Sequence, residues 1–263
     1  SWYGVLGSGM TEKTKNRPFI LADPEIGSDI TEIARRHNEW NRQHINRKSL
    51  WITEDGVYPE EVEGSIEIHF ETLYQDTDSC KVAIANHADV LAHAGALSKS
   101  HVVSMATMMC DYLNGTFDDF VKKTLGIDKS RFFHIKPDAY YRRYFQWGVK
   151  KRYAYLDFDG NFGWRGVEIR RSSTPKFVKK IQSELLEAVL IGTDRAGVDA
   201  LLRDIITQQS GIWPATDFGQ PFGIRKRGSH AYKSAMWSNK HLGTQFEIGD
   251  KPVLYIAKSA EAA

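Results

Sequence analysis

Cysteine is scarce in this chain. Only Cys80 and Cys110 occur, thirty residues apart and outside any CxxC spacing, which excludes a disulfide framework and a cysteine-based zinc site and leaves two reduced thiols. Long hydrophobic runs are missing too. No stretch approaches the roughly eighteen consecutive apolar residues of a membrane span, and the opening SWYGVLG has neither the basic flank nor the apolar core of a secretory signal. A cytoplasmic protein with no membrane partner is therefore expected. The nine histidines show no ligand spacing with another His, Cys or carboxylate, so surface or packing roles are expected for them. Internal repeats and low-complexity tracts are absent, and overall charge is small at +2.

That small net charge conceals a division along the chain. Between Lys129 and Lys180 there are 14 Lys and Arg against 4 Asp and Glu, a local +10, which leaves 21 against 29 elsewhere, a net −8. A concentrated positive segment neutralises phosphates and releases counterions, the main source of sequence-independent affinity for nucleic acid. A solvated basic surface has the same composition, so charge alone leaves both readings open. With 41% hydrophobic and 12% aromatic residues over 263 positions, the chain has material for a real core in one large or two smaller domains.

Periodicity places the elements. Ile30, Ile33, Ala34, His37, Trp40 and Ile45 have helical spacing over Asp29 to Asn46, with Ser28 or Asp29 as N-cap. Ser65 to Tyr74 alternates apolar and polar residues and Lys81 to Ile84 is a short apolar run, which predicts two strands joined through Gln75 to Ser79. Val102, Val103, Ala106, Met109, Cys110 and Leu113 predict a helix from about Ser98 to Leu113, closed by Asn114 and Gly115, with Met105, Met108 and Met109 as core filling. Tyr140 to Phe158 is aromatic and basic and is expected to contain strand. Further helices are expected at Lys176 to Leu190 behind Pro175, at Val198 to Thr207 and at His230 to Leu242, with a last strand from Pro252 to Ala257.

The sharpest local pattern is Tyr74-Gln75-Asp76-Thr77-Asp78-Ser79. Carboxylates at i and i+2 of an extended backbone point to the same side, so a hairpin tip presents both to one place. Such close like charges are tolerated when a hard cation neutralises them, and paired Mg2+ ions about 3.5 to 4 Å apart serve both oxygens of an in-line phosphoryl transfer. Asp, Thr and Ser also favour turns, so a plain polar turn explains DTDS taken alone.

In its context, DTDS after a hydrophobic strand resembles the third signature motif of family B DNA polymerases, YGDTDS. Ser1-Trp2-Tyr3-Gly4 resembles the end of that family's fingers-helix motif, a lysine and an asparagine followed by SxYG, with the lysine and asparagine missing upstream. Lys150-Lys151-Arg152-Tyr153-Ala154 matches the family's KKRYA motif. Gly166-Val167-Glu168-Ile169 with Ser172-Ser173-Thr174-Pro175-Lys176 resembles the crossing from palm to thumb. The motifs occur in the family's order over Ser1 to about Lys180, and Pro221-Phe222 and Gly249-Asp250-Lys251-Pro252 are weaker thumb echoes. The resemblance implies an α/β fold: a palm with an antiparallel sheet and backing helices near 29–46 and 98–113, followed by a mostly helical thumb. It divides the chain into the end of the fingers helix at 1–10, the carboxy-terminal palm at 11–171 and the thumb at 172–263.

The resemblance also assigns roles. Asp78 is implied as the stronger metal ligand and Asp76 as its partner, both catalytic, with two Mg2+ ions in the assembled enzyme. Tyr3, Gly4 and Thr77 are implied at the nascent base pair. Lys150, Lys151, Arg152 and Tyr153 would follow the minor groove and backbone of a DNA primer-template, where long cations hold duplex without selecting its sequence. Lys176, Lys179 and Lys180 would grip the product from the thumb, although a solvated helix face explains them nearly as well. Arg225, Lys226 and Arg227 share that ambiguity.

Two departures matter. Gln75 stands where the family has Gly, but its backbone is expected in a strand, where the position is permissive, so this departure is discounted. The first motif, DxxSLYP, is absent, and with it go an essential metal-binding Asp, the exonuclease domain and most of the fingers, including the lysine that meets the dNTP. The expected enzyme is thus a DNA-directed DNA polymerase active only together with an N-terminal polymerase fragment; a sliding-clamp contact is not indicated. Inteins leave Ser, Thr or Cys at the start of the downstream segment, so Ser1 is read as a splice acceptor. The competing account is a split polymerase of two associating subunits, which intact mass from the native source distinguishes. Two other readings stand beside the enzyme: a non-catalytic DNA-binding subunit using the basic segment 129–180, and an unrelated metal-dependent phosphotransferase with a chance DxD hairpin.

Overall fold

The computed structural model describes residues 24–76, 79–130, 133–209 and 214–254, which form two compact units dividing after Tyr140. In the first, helix α1 (Pro24–Ile45) leads into strands β1 (Ser49–Ile52), β2 (Val57–Tyr58), β3 (Ile66–Asp76) and β4 (Ser79–Ile84), then helices α2 (His87–Ala94) and α3 (Lys99–Leu125). The strands make one antiparallel sheet in the order β2-β1-β3-β4. Its buried face carries Leu50, Ile52, Val57, Ile68 and Phe70, packed with Val90 of α2 and with Met105, Met109, Leu113 and Phe117 of α3. The methionines are core filling as expected: Met105 and Met109 are buried and Met108 packs at the core's margin.

Two predicted boundaries are corrected. Helix α1 begins by Pro24, so Ser28 and Asp29 lie inside it rather than capping it; proline is at home in the first turn, where its missing N–H has no helical partner to lose. Helix α3 does not stop at Asn114 and Gly115 but runs to Leu125, ending on Gly126 at φ 70°. Phe117, Phe120 and Val121 continue its buried stripe. The Asn114 side chain faces sideways instead, accepting from the Ile135 N–H and donating to its carbonyl, both at 2.9 Å, so the amide that looked like a stop pins the passing chain. At the start of α3, Ser98 is the N-cap, accepting from the His101 N–H at 3.2 Å.

The second unit opens with a three-stranded antiparallel sheet, β5 (Tyr141–Gln146), β6 (Tyr153–Asp157) and β7 (Phe162–Arg165), in that order. Helix α4 (Lys176–Ile191) follows, then α5 (Arg195–Asp204) continuing as a π-turn over Ile205–Gln209, a short α6 (Ala215–Phe218) and α7 (His230–Leu242). Beyond Ser172 the described elements are mostly helical, with only the two-residue strands β8 (Gln220–Pro221) and β9 (Val253–Leu254) pairing. The outer end of the strand predicted for Pro252 to Ala257 lies outside the described residues. Ala154, Leu156 and Leu190 form the core between the three-stranded sheet and α4, with Leu186, Phe145 and Trp164 around it. Mixed α/β architecture with antiparallel sheets is what the sequence led one to expect.

Candidate functional site

The acidic hairpin is tight. Strands β3 and β4 pair to their ends, with Asp76 opposite Ser79, so only Thr77 and Asp78 span the tip. Those two residues, like Ser1, Tyr3 and Gly4, lie outside the described residues. Asp76 is the last residue of β3, half-buried, and its carbonyl accepts from the Ser79 hydroxyl at 3.2 Å. Among the described residues no three His, Cys, Asp or Glu side chains cluster as a metal cage.

The route by which β3 reaches Asp76 contains a feature that periodicity did not reveal. Ile68 and Phe70 are buried, and unbroken alternation would carry the core-facing set on through Thr72, Tyr74 and Asp76. Pairing steps from Thr72 opposite Val82 to Tyr74 opposite Lys81, so Leu73 is one extra residue, a β-bulge. Leu73 is 46% exposed. Past the bulge it is Gln75 that faces α1: its amide donates to the Asn38 carbonyl at 2.5 Å and to the Cys80 sulfur at 3.2 Å. Asp76 consequently belongs to the opposite face, away from α1. On the near side of the bulge, the Thr72 N–H and hydroxyl both donate to the Asn46 carboxamide oxygen at 3.1 Å.

The thiols flank this arrangement. Cys80, across from Gln75, and Cys110, on α3, are both free. Burial pushes both thiols up, Cys110 to about 11 with help from the nearby Asp111 charge, so neither is an activated nucleophile. Of the histidines, His37 packs among the rings of Phe117, Phe120 and Phe133 at 4.8 to 5.4 Å, a packing role.

The basic hairpin lies in the other unit. Lys150 and Lys151 are exposed in the turn between β5 and β6, with Arg152 leading into Tyr153, the first residue of β6. Ala154 is fully buried against α4's side of the sheet, which fixes the alternation and puts Tyr153 and Tyr155 on the other face. There they join Tyr141 and Tyr144, with ring centroids 4.4 to 6.4 Å apart, an aromatic cluster that the sequence suggested only as a tyrosine-rich composition. Lys151 has φ +64°, the one non-glycine residue with positive φ among those described. Gly166, of the Gly-Val-Glu-Ile pattern, lies against it: a Cβ there would stand 2.0 Å from the Lys151 carbonyl oxygen. Two of the quoted motifs are thus in direct contact.

Several cations of the basic segment have neighbours of their own while remaining exposed. Arg143 sits over Gly192 at the end of α4, where carbonyls leave a partial negative charge. Arg171 pairs with Glu168 at 3.1 Å. On α4, Lys176 reaches Asp217 at 3.4 Å and Lys180 reaches Glu184 at 3.6 Å, while Lys179 is half-buried. Both lysine pairs are exposed on the lysine side, and such pairs hold their partners weakly.

No family model matches the chain. A DNA polymerase of Archaeoglobus fulgidus is 36% identical over 72 residues, which is 27% of this chain and 9% of that protein. The structure of the family B DNA polymerase from the hyperthermophilic archaeon Pyrobaculum calidifontis superposes with a TM-score of 0.56 at 18% identity, over 99% of this chain and 27% of that one. The chain therefore spans about a quarter of the solved polymerase and less of the curated relative. The chain is thus similar in local sequence to a stretch of one DNA polymerase and in fold to a segment of a family B DNA polymerase.

Proposed function

We propose that this chain is the carboxy-terminal portion of a DNA-directed DNA polymerase, which works with a further segment supplying the first-motif aspartate, the fingers and the exonuclease. The observation that carries the reading is the hairpin end: Asp76 pairs with Ser79 across a two-residue tip containing Asp78, and the bulge turns Asp76 to the face away from α1. On the resemblance, the residues of 11–171 act as palm and those of 172–263 as thumb. The substrates are a DNA primer-template and a dNTP.

The donor chemistry suits a hard cation. Asp76 and Asp78 offer carboxylate oxygens, and the one soft donor beside them, Cys80, is engaged by Gln75 on the α1 side. Asp76 and Asp78 would hold Mg2+ together with a carboxylate from outside this chain. When bound, Mg2+ supplies charge neutralisation at the attacking and leaving oxygens. In the reaction the primer 3′-hydroxyl oxygen bonds to the α-phosphorus of the dNTP as the bond to pyrophosphate breaks. Lys150, Lys151, Arg152 and Tyr153 hold the primer-template near its growing end, with Lys176, Lys179 and Lys180 on the product duplex. Tyr3, Gly4 and Thr77 take the nascent base pair.

The test is Asp78→Ala, with Asp76→Ala beside it, in the assembled enzyme. Primer extension should fall by at least about 100-fold, the scale of losing one electrostatic stabiliser, while binding to primer-template stays within a factor of about two, since carboxylates make no phosphate contacts. Near wild-type extension by Asp78→Ala would refute the assignment. Binding of DNA with no extension by the unaltered assembly, in the presence of Mg2+, would favour a DNA-binding subunit instead.

A further inference from the structure

Gln75 is the residue at which this chain departs from the pattern it otherwise resembles, and it is also the residue that ties the acidic hairpin to its backing helix. A glycine there could make no such tie. The tie has a partner: Thr72 bonds Asn46 on one side of the Leu73 bulge, and Gln75 bonds Asn38 on the other. Asn46 is the turn residue just past α1, and the seven helical steps from Asn38 to Ile45 rise about 10.5 Å, while three residues of strand rise about 10 Å. The two elements therefore run antiparallel at matched pitch, and both bonds can form at once. Between them the strand carries its one extra residue, which has nowhere to migrate.

Register in a sheet flips every side chain when it slips by one residue. A bulge free to move past residue 75 would return Asp76 to the α1 side, where Ile68 and Phe70 point. The Gln75 amide opposes that movement directly, because it reaches the Asn38 carbonyl only while residue 75 faces the helix. Its second contact, on the sulfur of cross-strand Cys80, gives the same register a check on β4.

We propose that Gln75 is a positioning residue: it locks the bulge on the Thr72 side and so holds Asp76 on the face away from α1. This rests on the polymerase reading for its consequence, though not for the brace itself.

The experiment uses the assembled enzyme with Gln75→Met, which keeps length but removes the donor, and Gln75→Glu, which presents an acceptor to the Asn38 carbonyl. Two quantities are read. The first is amide hydrogen exchange over Tyr74 to Cys80, which should quicken about fivefold in both variants, the effect of one lost hydrogen bond of about 1 kcal/mol. The second is the Mg2+ concentration giving half-maximal primer extension, which should rise about tenfold, while the Kd for primer-template stays within about twofold. A general loss of stability would move the DNA affinity as well.

Exchange and Mg2+ dependence indistinguishable from the unaltered enzyme in Gln75→Met would overturn the proposal. If the unaltered assembly extends no primers, the polymerase reading fails, and the exchange rates alone then judge the brace.

Discussion

Two hairpins dominate this chain, and they are built on different plans. The acidic one, β3–β4, turns in two residues, is backed by a helix, and has side-chain hydrogen bonds on both sides of its bulge. The basic one, β5–β6, turns more loosely from Trp147 to Arg152, with Gly148 at φ +74° and Lys151 at φ +64°. It is fixed by backbone fit, the Lys151 carbonyl resting where Gly166 has no Cβ. The chemistry each tip would perform explains the difference. Carboxylates that share a cation must be placed within a few tenths of an ångström, whereas lysines on flexible stems find phosphates over several ångströms of reach. A stiff scaffold serves the first task and an accessible one the second.

That contrast can be broken most severely on the basic side by Lys150→Ala with Lys151→Ala. Affinity for primer-template should fall on the order of 10- to 100-fold at 0.1 M salt, and the slope of log K against log salt should shrink by about two. The extension rate at saturating DNA should change little. A slope identical to that of the unaltered enzyme would mean that these lysines touch no phosphates.

Gly166→Ala is next. The new methyl would meet a backbone oxygen that cannot swing away, and φ +67° disfavours any side chain there. A loss of about 2–4 kcal/mol is expected, read as a lower urea midpoint, with exchange in β3–β4 unchanged because the acidic hairpin belongs to the other compact unit. Equal loosening of both hairpins would contradict that independence.

The smallest effect separates turn from function in a single residue. Lys151→Gly relieves the left-handed backbone and should stabilise the chain by about 0.5–1 kcal/mol, yet weaken DNA binding severalfold through one lost phosphate contact. Stability and affinity should move in opposite directions. If both rise or affinity is unchanged, Lys151 is only a turn residue.

Much of this architecture was legible beforehand. Alternation marked β3, helical spacing marked α1 and α3, Pro175 marked the start of α4, and a two-strand hairpin around DTDS followed from an apolar run on each side of a polar turn. Where the reading fell short, side chains had found partners far away in sequence. Asn114 signals a helix end by itself, but its carboxamide is spent on Ile135, 21 residues on, and the helix continues. Strands β1 and β2 and helix α2 went unmarked because four residues, two residues and eight residues are too short for a period to register. The ion pairs of Lys176 with Asp217 and of Lys180 with Glu184 could not be anticipated from a count of charges.

What the amino-acid order determined by itself is the chemistry available at each turn: carboxylates at one, lysines at another, and strands with enough apolar residues to hold both. Tertiary structure alone decided which way Asp76 faces. Its direction depends on where β3 takes up an extra residue relative to β4 and on whether an amide at position 75 meets a helix carbonyl 37 residues earlier. Parity along a strand is local, but the point at which it is reset is chosen by pairing and packing between segments distant in the chain.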